Sequence, residues 1–146
     1  MADEPKRGTV PETAYHSDLN LLKRAEACAD RVINEEHGNK QARIKDGAST
    51  EFVAVHNAGI FSASDGEMMR VEPKPNGTIS VIVGAADHPR LFGESQGEVV
   101  TTATIARDGQ IKAEKTEVAG PHTKALGDHV NNMTKKFGAC MVSPKL

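Results

Sequence analysis

TEFVAVH (Thr50–His56), EMMRVE (Glu67–Glu72) and TISVIV (Thr78–Val83) are the segments whose reading decides the fold. Each is short and carries Val, Ile, Phe or Met between turn residues, the pattern of strands rather than helices. Thr78–Val83 is the most apolar and reads as a central, fully buried strand. Ser64-Asp65-Gly66 separates the first segment from the second, and Pro73 ends the second. Pro75-Asn76-Gly77 supplies the next turn, because Pro presets φ and Asn-Gly accepts positive φ. Asn57-Ala58-Gly59 either turns the first strand into Ile60–Ala63 or marks a bulge within one longer strand.

Downstream, Glu98–Ala106 and Gln110–Val118 are two further strand segments joined by Asp108-Gly109, a hairpin signal. Thr101, Thr102 and Thr104 favour the extended state through their branched Cβ. Upstream, Asn39–Ser49 is polar, and a short edge strand over Ala42–Lys45 is a weaker reading.

A helix flanks this β region on each side. Leu21, Leu22, Ala25, Cys28, Ala29, Val32 and Ile33 recur at helical spacing and predict a helix over 17–37, with Ser17 as N-cap and Gly38 as stop. Leu126, Val130, Met133 and Phe137 form one seam of a second helix, capped by Thr123 and stopped by Gly138. Each helix has a single apolar stripe, so each should lie on a sheet face. The fold class is α+β: an antiparallel sheet of about five strands flanked by an N-terminal and a C-terminal helix. The layout is similar to that of profilin-like and roadblock-like domains. None of their sequence signatures is present, so the similarity carries no function. Residues 1–14 read as a disordered or loosely attached segment and 15–146 as one domain.

The chain has 146 residues, enough for one core, and its four Phe and one Tyr leave that core to aliphatic side chains and Met. Eighteen basic and 20 acidic residues are well mixed, giving a net charge of −2. That balance argues against nucleic acid as the main partner. No apolar run is long enough to span a membrane, and no apolar stretch follows the first charges as in a secretory signal. The plain reading is cytoplasmic, with export by a route that lacks a cleaved signal left open. Cys28 falls on the apolar stripe and reads as a buried free thiol; a bridge to Cys140, joining the two helices, is the sharper alternative.

Gly84–Gly97 is long for a connection in a compact domain, and such loops often carry function. Within it, Asp87, His88 and Arg90 combine a carboxylate, an imidazole and a guanidinium, which suffice for proton transfer and anion stabilisation. His56 at a strand end could border such a site. Leu91 and Phe92 are an apolar pair in a polar loop, either tucked beneath it or offered to a partner. His122 and His129 are seven apart beside Asp128, but no His pair shows the spacing of a helical metal motif, so structural zinc is not expected. Phosphate-loop, dinucleotide, nucleophile-elbow and C-x-x-C motifs are absent.

These residues favour a small non-enzymatic protein-binding or accessory module. It would use its sheet edge or the 84–97 loop, with Leu91 and Phe92 as binding residues and no cofactor. The alternative is a small hydrolase or transferase with Asp87, His88, Arg90 and His56 around its site. A sheet face left uncovered would also invite a homodimer.

Overall fold

The structure, a computed structural model, describes residues 12–56, 65–87, 97–121 and 123–142, with side chains from Asn20 onward. Eight elements follow in order: α1 (Glu12–Asn34), β1 (Lys40–Asp46), β2 (Ser49–His56), β3 (Asp65–Pro73), β4 (Ile79–Asp87), β5 (Gly97–Ile105), β6 (Ile111–Ala119) and α2 (Lys124–Val142). The six strands form one antiparallel sheet in sequence order, because each connection joins nearest neighbours. The α+β class is therefore as the sequence predicts, with six strands rather than five.

The extra strand is β1. Every residue of it is exposed, so it shows no apolar alternation and is held by backbone pairing along Lys40↔Val55 to Asp46↔Ser49. Gly47 at φ 63° makes the turn that returns the chain into β2. Side chains add to the pairing: the Arg43 guanidinium lies 5.5 Å from the centre of the Phe52 ring, and Lys45 reaches Thr50.

Both helices cover the same face. α1 packs on β2 and β3, α2 on β4 and β5, and the two touch each other. From the sheet, Phe52, Met69, Val71, Val81, Val83, Val99 and Ile105 point into this layer; Val32, Ile33, Val130, Met133 and Phe137 meet them from the helices. β4 sends Ile79, Val81, Val83 and Ala85 into the core but is not apolar-buried on both faces: Ile82, on the other side, is only half-covered. Thr50, fully buried, is satisfied by donating to Glu26 Oε2 at 3.1 Å and accepting from Lys45 Nζ at 3.2 Å.

Helix ends differ from the sequence reading for reasons of packing. α1 starts five residues before Ser17, since Glu12 and Ala14 are good helix formers and extend it. At its other end His37, at φ 54°, takes the left-handed position predicted for Gly38. Gly38 is needed for another purpose: a Cβ there would lie 2.9 Å from the Val55 nitrogen, so only glycine lets the chain pass so close to β2. Gly138 does not stop α2, which runs on to Val142; a Cβ at this position would sit 3.0 Å from Ile111 Cγ2. Close approach to β6, not helix termination, explains that glycine.

Cys28 is not a free thiol. It is bonded to Cys140, with a Cα–Cα distance of 5.8 Å. Two helices side by side on one sheet face bring the cysteines within bridging range, a proximity that a separation of 112 residues conceals. The connection predicted over 84–97 is also shorter, since Gly84–Asp87 belongs to β4 and Gly97 opens β5. Among the described residues no helix is long and apolar enough to cross a membrane.

Candidate functional site

Strand alternation sends every second side chain to the face that the helices leave uncovered. Register places these residues in rows across the sheet. One row runs Val53, Met68, Gly84, Val100; a second runs Glu51, Arg70, Ile82, Thr102; a third runs Val55, Gly66, Ala86, Glu98. Side-chain size along the rows shapes the surface. Gly66, Gly84 and Ala86 are small where Val53, Val55, Met68, Ile82 and Val100 are large, so the centre is hollow. The result is an open groove of about 550 Å³ with an apolar floor.

The glycines of the floor have different origins. A Cβ at Gly66 would lie 2.8 Å from the Ala54 carbonyl oxygen, so glycine is sterically required. At Gly84 a Cβ would meet Met68 and Val100 side chains at 3.4–3.5 Å, an ordinary contact distance. Packing does not demand glycine there, and its hydrogen leaves space in the groove. Of the acidic residues along the lining, Glu51 and Glu98 have the alternation of the open face, whereas Asp65 and Glu67 have that of the covered face, and no described lining residue is Lys or Arg.

Beside the groove Arg70 gathers three carboxylates. It donates to Glu72, to Asp46 Oδ2 at 3.0 Å and to Glu51 Oε1 at 3.4 Å. The hydrogen bond from Arg70 holds the Glu72 carboxyl below its usual range, against a smaller opposing effect of burial. The guanidinium is correspondingly pushed further toward its charged form by Glu72 and Asp46.

The residues predicted for chemistry are only partly brought together. His88, Arg90, Leu91 and Phe92 lie outside the described residues, as does the reading of Asn57–Ala63. Asp87 ends β4 and His56 ends β2, both with the alternation of the helix-covered face. β3 runs between them, which puts their backbones about 10 Å apart at ordinary strand spacing. His56 is already engaged: its Nε2 lies 2.7 Å from Glu67 Oε1.

That contact belongs to a cluster hidden from the sequence. His129 Nε2, on α2, lies 2.8 Å from Glu36 Oε1 and 3.4 Å from Glu67 Oε2. The turn after α1, β2, β3 and α2 therefore bring two imidazoles and two carboxylates into one cluster on the helix-covered side of the sheet. The Glu36 and Glu67 side chains are only 10% and 11% exposed, and the His56 and His129 side chains 32% and 35%. Of these residues, His56 and His129 stand out in the sequence, but with other neighbours. Glu36 and Glu67 read as ordinary surface acids. Comparison with protein-family models, curated proteins and solved structures found no match for this chain.

Proposed function

We propose that the protein is a non-enzymatic binding module whose uncovered sheet face takes an apolar segment of a partner protein flanked by Lys or Arg. The groove carries this reading: an apolar floor of Val53, Val55, Met68, Ile82 and Val100, left hollow by Gly84 and Ala86 and bordered by the carboxylates of Glu51 and Glu98. Burying the floor supplies association energy, and the carboxylates select against acidic partners. Nucleic acid is disfavoured by the same charges. So is a symmetric homodimer through this face, which would set carboxylate against carboxylate.

The face is a better binding surface than either sheet edge. β1 presents Lys40, Arg43 and Lys45, and β6 presents Lys112, Glu114, Lys115 and Glu117, charges that discourage strand addition. The Leu91–Phe92 pair remains a second proposed contact, in the β4–β5 connection. The enzymatic alternative draws less support, because Glu67 holds His56 on the covered face. The Cys28–Cys140 bridge suits an oxidising compartment better than the cytoplasm of the plain sequence reading.

Selection from a displayed peptide library tests the proposal. Recovered peptides should share apolar residues flanked by Lys or Arg, bind more weakly as salt rises, and lose binding to Gly84→Val while that variant keeps the wild-type melting temperature. No enrichment, or peptides that bind Gly84→Val as well as wild type, would overturn it. A double Leu91→Ser, Phe92→Ser variant then shows whether the loop shares in the contact.

A further inference from the structure

We infer that Glu36, His56, Glu67 and His129 form a binding site for a divalent transition-metal ion of the zinc class. Their donor atoms are two imidazole nitrogens and two carboxylate oxygens, a set of four that matches zinc in number and kind. Magnesium and calcium, which prefer all-oxygen shells, fit it poorly.

Geometry brings the donors of Glu36, His56 and Glu67 together and sets His129 against both carboxylates. Both imidazoles present Nε2 inward, and the two oxygens of Glu67 divide between them: Oε1 faces His56 at 2.7 Å and Oε2 faces His129 at 3.4 Å. Glu36 closes the other side, with Oε1 at 2.8 Å from His129 Nε2. Donor atoms of Glu36, His56 and Glu67 all lie within 4.8 Å of one another. Metal–ligand bonds of 2.0–2.1 Å in a tetrahedron place donors about 3.4 Å apart, so an ion would open the 2.7 and 2.8 Å contacts by about 0.6–0.7 Å and draw the wider separations, up to 4.8 Å, together.

The backbone around the cluster is built for close approach. Gly38 lets the chain after α1 pass against Val55, next to His56, and Gly66 lets β3 press on Ala54, next to Glu67. Two nearly buried carboxylates also repel one another, and a divalent cation cancels both charges while the imidazoles stay neutral. The partial exposure of His56 and His129 leaves an entry path from solvent. The site lies on the face opposite the groove and does not depend on what the groove binds. An ion here would join the end of α1 to β2, β3 and α2.

Chelator-treated, untagged full-length protein titrated with Zn²⁺, and separately with Co²⁺ as a spectroscopic probe, tests this. One equivalent should bind, Co²⁺ should show the visible absorption of a four-coordinate site, and the melting temperature should rise with free metal. His129→Gln keeps a hydrogen-bonding side chain for Glu36 and should weaken binding by more than about 100-fold, since even partners one shell further out cost 10- to 100-fold. A second readout needs no variant: in wild type, Zn²⁺ should shift the ¹⁵N resonances of His56 Nε2 and His129 Nε2. Absence of uptake, uptake unchanged in His129→Gln, or shifts confined to His16, His37, His88 and His122 would overturn the assignment.

Discussion

The two faces of this sheet are made by the same six strands and differ in almost everything else. Under the helices, Phe52, Met69, Val83 and Thr101 stand in one row, all buried, and are met by interlocking side chains. One residue along each strand, Val53, Met68, Gly84 and Val100 stand in a parallel row that neither helix covers. The covered row gains stability from close packing of large groups. The open row gives up packing at its centre, where a glycine stands that sterics do not require. Close packing is concentrated on one side of the sheet, and the hollow proposed for recognition is left on the other.

Breaking the covered side should have the largest effect. Phe137→Ala opens a cavity at a fully buried position and should cost about 3–5 kcal/mol in denaturant unfolding. Removing the bridge comes next. Cys28→Ala with Cys140→Ala should lower stability by about 2–4 kcal/mol, because a long closed loop no longer restricts the unfolded chain. Equilibrium unfolding of the oxidised, reduced and double-variant proteins checks this, and the last two should agree.

The groove's border should respond to acid. Glu72 is held below its ordinary carboxylate range by the hydrogen bond from Arg70. A carboxyl with a lowered folded-state pKa contributes stability that is fully present above its ordinary range and is lost as pH falls through the folded value. Arg70→Gln should bring Glu72 back up toward that ordinary range, seen in an NMR titration of its side-chain carboxyl. The smallest effect belongs to the open floor. Gly84→Val should change stability by no more than about 0.5 kcal/mol, with better strand propensity offsetting the altered surface. A large loss there would mean that the two faces are energetically coupled, and the contrast between them would fail.

Much of the covered face was legible in the sequence because periodicity reports burial. The seam Leu126, Val130, Met133 and Phe137 is buried as its spacing predicts, and the Asp108-Gly109 hairpin forms with Gly109 at φ 89°. β1 was faint because a strand with no buried side chain leaves no apolar trace, only the turn at Gly47. Gly38 and Gly138 misled as helix stops because glycine serves close approach as readily as termination, and sequence does not distinguish the two. The cluster of Glu36, His56, Glu67 and His129 was invisible for a stronger reason. Its members come from four elements, so no spacing along the chain encodes their meeting. Only the fold makes them neighbours.

The bridge between the helices also has a mechanical consequence. Cys28 and Cys140 lie near the two ends of the chain and enclose all six strands between them. Tension applied at the termini therefore passes from α1 through the sulfur atoms into α2, and the sheet carries none of it. A single cut in any connection between strands leaves both pieces covalently attached. The β region behaves as a closed ring, shielded from pulling as long as the bridge stays oxidised.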